Sequence, residues 1–586
     1  MTKTNWNLGL LYKSSKDPQI EKDINEFVDL CNKFSKKYNA NSNFVKSEDK
    51  LLKSLQDYES LSDRLNPKPV YYFSYTTSLN SSDNEAQAKI SKLTSILNKA
   101  ENEITFYPLA LGKIPTTDQK KYLNSKKLSK YRYLLSRRFL VAKYDLSESE
   151  EKIINLKSLP SHSMWTRGFE KLMEKQTVNF KSKELPLPEA INLLRELKTS
   201  DRRKLHEKII QKLFSISDFA ESEINAIVNN KKIDDELRKL PKPYSGRILA
   251  AEDDETSVMN LVDIVSKNFK ISQRFYKVKA KMLKLKELKY PDRVASVGQV
   301  KKKYSFDESF KILNKTFSGY DKDFSLILNS MTNNGQIDVY PKKGKSGGAF
   351  CSGSHNNPTY VLLNHVNNFE SVSTFAHEMG HAIHGELSKK QGVLYEDYSL
   401  SSAETASTFF EGLVFKEMTS NLSKQEKIVA LHDKIEDDIS TIFRQIAFFN
   451  FELELHNQIR DKGEMSKEEI AKLMNKHMES YLGPIFQLDE IDGYFFTCVS
   501  HIRYMFYVYT YAYGSLVSKS LLALVNKDKN NISKVKKFLE AGGSDTPENI
   551  FKSIGIDVTK PDFFKNGLKE IENDVDDLEK LVNSAE

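Results

Sequence analysis

Residues that break regular structure are scarce in this chain, and that scarcity constrains its fold more than any other feature. Its 586 residues include 16 prolines and 23 glycines. Apolar side chains recur at three- and four-residue intervals over 18–37, 84–105, 147–157, 189–213 and 258–288, with Lys and Glu between them. That period predicts helices with one buried side. Close proline pairs mark loops between helical blocks: Pro67 and Pro69, Pro186 and Pro188, Pro241 and Pro243. The expected class is mainly α. At this length one core does not suffice, so several subdomains or one large helical body are expected. There is no repeat of solenoid period and no low-complexity linker.

Charge narrows the function classes. The 88 basic and 80 acidic residues leave +8, a weak excess for this length. Most charged residues interleave by sign, as on solvated helix faces. The stretch Gln119–Tyr144 is basic and free of acids, but its cations alternate with Tyr, Leu and Phe at helical spacing and form a basic helix face. The run Lys301-Lys302-Lys303 is short. Neither supports nucleic-acid binding. Three cysteines, Cys31, Cys351 and Cys498, offer no disulfide framework and no CxxC pair, so a reducing compartment is expected. The N-terminus has no apolar signal region, and no run of about 18 apolar residues exists. A cytoplasmic protein without a membrane span follows as the expectation.

One region departs from helical period. From Gly335 it reads GQIDVYPKKGKSGGAFCSGSHNNPTYVLLNH. Two β-like runs, Ile337–Tyr340 and Thr359–Asn364, flank a Gly/Ser/Lys loop, which predicts a small sheet whose edge an extended peptide can join. The loop lacks GxxxxGK[ST], so it is no phosphate cradle.

Directly after this sheet comes TFAHEMGHAIHG, residues 374–385. His377 and His381 are four apart, so on a helix their imidazoles share a face and converge on one ion. Glu378 points about a quarter-turn away, where it reaches a metal-bound water without ligating the metal. Val372, Phe375, Met379 and Ile383 give this helix an apolar side. A catalytic zinc needs a third protein ligand and an open position. The metzincin pattern fails, because His384 and Leu387 stand where Gly and His are required. Glu404, 23 residues after His381, fits one loop and a return helix, and small neighbours (Ala403, Thr405, Ala406, Ser407) permit close helix approach. Glu404 is therefore the third ligand expected. Glu411 shares its face and is a candidate to orient a histidine. His384 completes HExxHxxH and is the less favoured ligand, one turn too far along. Further on, Tyr504, Tyr507 and Tyr511 recur at helical spacing beside His501. Phenols and imidazole can donate to an oxyanion, though an aromatic stripe also suits a core.

Together HEMGHAIH and the later AETAST resemble the thimet oligopeptidase/oligoendopeptidase F family, most of all its bacterial oligoendopeptidase F branch. WNLGLLY at the start, IDVYPKKGKSGGAFCSG and HIRYMFYVYTYAYG (501–514) resemble further stretches of that branch, so the resemblance spans nearly the whole chain. Cys351 stands where Ser is expected and Tyr513 where Thr is usual; neither is a proposed ligand. The resemblance implies an elongated multi-helix, zincin-type body with a deep substrate channel. Residues 1–200 would form one wall, and 201–586 would be the catalytic domain holding one Zn2+ per chain. It implies a mobile loop at Gly344–Gly353, and substrate-backbone and transition-state binding by His501, Tyr507, Tyr511 and Tyr504. Tyr509 and Tyr513 face elsewhere as packing residues. The implied substrates are short unstructured peptides cut at internal bonds. The rivals are a catalytically dead peptide-binding scaffold, a structural helical protein with an accidental motif, and a thermolysin-like secreted protease.

Overall fold

A computed structural model describes residues 3–40, 42–420 and 422–584, and helices supply most of its regular structure. By packing, the chain forms two compact units, each assembled from three segments. Unit 1 comprises Met1–Lys143, Lys302–Met418 and Leu524–Ile556; unit 2 comprises Tyr144–Lys301, Thr419–Ala523 and Asp557–Glu586. The expected division is 1–200 and 201–586, whereas these units interleave along the chain.

Within unit 1, helix Pro18–Tyr38 starts at Asp17, whose carboxylate accepts from Gln19 N, and it buries Ile20, Phe27, Leu30 and Phe34. Full burial of each such side chain is worth about 1.5–3 kcal/mol. The sheet has three strands, β1 (Ile337–Asp338), β2 (Phe350–Ser354) and β3 (Asn357–Leu362), in the order β1-β3-β2. β1 is parallel to β3 and β2 antiparallel to it. The predicted runs are thus β1 and β3, while β2 emerges from the stretch read as a flexible loop. Phe350–Gly353 belongs to a strand, so the loop proper is confined to 344–349. A bulge between Ser352 and Ser354 disguises the period. A side chain at Gly353 would press within 2.5 Å of Thr359 Oγ1. The N-terminal WNLGLLY segment is folded against this sheet. Trp6 Nε1 donates to Val361 O at 2.8 Å, and the Tyr360 hydroxyl donates to Asn7 O at 2.8 Å.

After the sheet, α1 (Phe369–Ser388) is followed by α2 (Leu400–Thr419). Asn368 caps α1 by accepting from Ser371 N. Val372, Phe375, Met379 and Ile383 are fully buried, as the apolar stripe predicted.

Unit 2 includes helix Ser217–Arg238, α3 (Arg444–Lys462) and α4 (Tyr509–Lys527) up to Ala523. The period over 189–213 resolves into Leu187–Leu193 and Thr199–Ser215, and that over 258–288 into Glu255–Lys267 and Lys270–Met282. A hairpin, Thr177–Phe180 with Lys183–Pro186, was not anticipated. Its two turn residues, Lys181 and Ser182, are both left-handed (φ 48° and 62°) without the Asn-Gly pair that usually signals such a turn. No helix among the described residues is long and apolar enough to cross a membrane.

Candidate active site

The site in unit 1 is built where α1 and α2 meet. Gly380, inside HEMGH, allows this. A Cβ there would lie 2.7 Å from Ser407 Cα and 2.9 Å from Ala406 O, so only glycine lets the α2 backbone come so close. That approach carries Glu404 to the histidines. His377, His381 and Glu404 each offer a ligand atom within 4.8 Å of the others, and His377 Nε2 lies 3.6 Å from Glu404 Oε2. Two imidazoles and a carboxylate at this separation suit a borderline-soft divalent ion such as zinc.

The other nitrogen of His377 is held from behind. Its Nδ1 is 3.2 Å from Glu411 Oε2, and Glu411 Oε1 accepts from Ser373 Oγ at 2.9 Å. This contact fixes the ring and leaves Nε2 for a metal. Glu411, the candidate to orient a histidine, is thus the carboxylate in contact with His377 Nδ1. Burial alone would depress His377, but the Glu411 hydrogen bond and the charges of Glu411, Glu404 and Glu378 outweigh it, raising it to about 9. His381 goes the other way, to about 3, through burial and then the neighbouring His377.

Glu378 is 6% exposed. Burial pushes its carboxyl up to about 7; Glu404 and Glu411 add to the rise, and His377 opposes it. A carboxyl tuned near neutrality is suited to taking and returning a proton. β2 packs on α1, and the Glu378 charge helps hold the Cys351 thiol of that strand in its neutral form, after burial.

His384 does not join the cluster. Its ring is fully buried, stacked on Tyr398 at 3.5 Å and 10°, and both nitrogens lack hydrogen-bond partners. It is a packing residue, for the reason anticipated: it sits one turn beyond the converging pair.

The His–Tyr segment lies in unit 2. The structure corrects its expected continuous helix. Ser500–Arg503 is a short 3-10 turn, Met505 and Phe506 are left-handed (φ 50° and 58°), and α4 begins only at Tyr509. The side chains still gather. His501 Nδ1 is 2.5 Å from the Tyr507 hydroxyl, the His501 and Tyr511 rings are 6.0 Å apart, and those of Tyr507 and Tyr511 5.7 Å. Tyr504, 6.4 Å from Tyr507, is half exposed. Tyr509 and Tyr513 are buried, with the Tyr509 hydroxyl on Asp253 and the Tyr513 ring against Phe564.

Distant residues, absent from the sequence reading, hold the break. Buried Glu452 accepts from Phe506 N at 3.0 Å. Arg247 donates to Tyr504 O and Met505 O. Arg503 forms a buried two-point pair with Glu223 of Ser217–Arg238, and His162 Nε2 lies 3.0 Å from Arg503 O. No local pattern marks these four as partners of residues tens to hundreds of positions away.

Two histidines and two glutamates brought together at a helix–helix contact are the donor set of an HExxH metallopeptidase. The model for peptidase family M3 matches residues 196–570, and that for the oligopeptidase F N-terminal region matches 111–175. The chain belongs to peptidase family M3. It is 24% identical over 588 residues to an oligoendopeptidase F homolog of Borreliella burgdorferi, covering 98% of each. It is 29% identical over 330 residues to the oligopeptidase PepF of Bacillus subtilis, covering 55% of this chain and 49% of that one. In fold it is similar to a putative peptidase from Chlamydophila abortus (TM-score 0.86, 24% identity, 99% and 98% covered). It is also similar to oligoendopeptidase-F from Enterococcus faecium (TM-score 0.72, 16% identity, 97% and 99% covered).

Proposed function

We propose that the chain is a cytoplasmic zinc oligoendopeptidase, cutting internal bonds of short unstructured peptides. The observation that carries this reading is the convergence of His377, His381 and Glu404 beside a buried Glu378 whose proton affinity is near neutral. A single zinc held by those three residues would supply Lewis acidity toward the scissile carbonyl and lower the pKa of a water. Glu411 keeps His377 in the tautomer that presents Nε2. Glu378 takes the proton from the attacking water and hands it to the leaving amine nitrogen. His501, Tyr507, Tyr511 and Tyr504 bind the substrate backbone and donate to the developing oxyanion; their gathering within one cluster supports this role, together with the family resemblance.

Chelation tests the reading. Purified protein treated with a chelator should lose cleavage of a quenched fluorescent peptide of about ten residues and regain it with one equivalent of zinc. His381→Ala should not be restored by that addition. The same target sequence placed inside a stable folded domain should stay intact. Undiminished cleavage after complete metal removal would sink the proposal.

A further inference from the structure

Unit 2 contains a second group of polar side chains whose donors are unmatched. It comprises Tyr290, Arg293, Arg444 and Tyr481, with the Tyr276 ring beside Tyr481. The tyrosines are 4%, 3% and 1% exposed in the order Tyr276, Tyr290 and Tyr481. The hydroxyls of Tyr290 and Tyr481, Arg293 Nε and Arg444 Nε are all enclosed without a hydrogen bond of good geometry. The Tyr290 hydroxyl lies close enough to the Arg293 guanidinium to act on it. Arg293 and Arg444 act on each other. Burial first, and then Arg293, hold Arg444 below the usual guanidinium range, and the other strong influences on it are the three tyrosines.

Other cations buried in the same unit are treated differently. Arg202 pairs with Asp292, Arg503 with Glu223, and Lys279 with Glu436. No such carboxylate pairs with Arg293 or Arg444 among the described residues. Ring faces compensate in part: Arg293 stands over Tyr290 at 4.7 Å and Arg444 over Phe448 at 5.9 Å. A ring face does not satisfy an Nε–H, and two like charges brought together out of water call for a counter-charge. Taken as whole residues, both arginines are only partly buried.

The donors present select the ligand. Two guanidiniums with two phenol hydroxyls suit a planar carboxylate, which takes paired N–H bonds. The location indicates what carries it. Arg444 opens α3, and one turn later the Phe448 ring is 6.1 Å from His501. The Arg444 charge also acts on His501, after burial. We propose that Arg293 and Arg444, with the hydroxyls of Tyr290 and Tyr481, bind a carboxylate of the peptide substrate. The proposal rests on His501 contacting substrate, as argued above.

Three peptides with one shared scissile sequence test it: a free C-terminal acid, its amide, and an amide bearing Glu in place of a Gln. kcat and KM are measured for wild type, Arg444→Gln and Arg293→Gln, with zinc content confirming an intact metal site. Wild type should favour a carboxylate-bearing peptide over the neutral amide by roughly ten- to hundredfold, mainly through KM. Both variants should collapse that ratio toward one. Whether the acid or the Glu peptide is favoured identifies the carboxylate as terminal or side-chain. Tyr481→Phe removes only an unpartnered hydroxyl; it should shrink the ratio several-fold and serves if the arginine variants do not fold. Equal wild-type rates on all three peptides overturn the proposal, as does a ratio unchanged in the variants, which would make the cluster packing only. Cleavage of none of the peptides by wild type would remove the peptidase reading itself.

Discussion

At the scale of single residues, Gly380 and Glu411 carry consequences beyond their size. Gly380→Ala puts a methyl 2.7 Å from the Ser407 backbone, so α1 and α2 must separate. Overpacking costs about 1–3 kcal/mol, against roughly 1 kcal/mol gained in helix propensity. The expected outcome is a net loss of stability and weaker zinc binding, because Glu404 moves away from His381. Gly319→Ala is the control. A Cβ there meets nothing within 4 Å, so the same exchange should stabilise by up to about 1 kcal/mol. Equal effects in denaturant titration would contradict the close-approach argument. For Glu411→Gln, which weakens the hold on His377 Nδ1, zinc affinity measured by competition with a chelating dye should fall about 10- to 100-fold.

At the scale of elements, the left-handed break before α4 depends on Glu452. Burial raises this carboxyl to about 8, and the Phe506 N–H and Arg247 only partly offset it. The folded-state value lies above the unfolded one, so the folded state holds the proton more tightly. The stabilisation is complete below the ordinary Glu value of about 4.5 and is lost as pH rises toward about 8. Glu452→Gln mimics the neutral acid and keeps an acceptor for Phe506 N–H. Between pH 5 and pH 8 the wild type should lose on the order of a few kcal/mol more stability than the variant. Identical pH slopes in denaturant titrations would show that Glu452 is not buried as a neutral acid. No local pattern announces this break. The approach of Glu404 to HEMGH was legible because side chains that converge from two helices leave local spacings. Tyr504, Tyr507 and Tyr511 have helical spacing too, yet the backbone between them is not a helix. Its left-handed Met505 and Phe506 are held by Glu452 and Arg247, which no local pattern announces. β2 was hidden for a related reason: Gly, Ser and Cys at a bulge carry no alternation.

On the scale of the whole molecule, the helical class followed from period alone, because scarce Pro and Gly leave few other structures. The grouping of segments did not. Each unit collects three distant stretches, and long-range packing of that kind leaves no mark in a linear pattern. All three proposed ligands belong to unit 1. Zinc held by these residues would bind only the folded arrangement, so saturation should stabilise that unit by linkage, by about 4 kcal/mol at a thousandfold excess over Kd. Hydrogen exchange should slow most in α1 and α2 on adding zinc, and least in hairpin 177–186 of unit 2. Uniform slowing throughout would place the metal elsewhere.

The central claim is that Glu378 works on a water beside a metal held by His377, His381 and Glu404. Its most direct test is Glu378→Ala, with peptide cleavage and zinc content measured on the same samples as wild type. The account predicts full zinc occupancy in both proteins and a loss of kcat on the order of a thousandfold or more in the variant. Wild-type turnover by the zinc-loaded variant would contradict it.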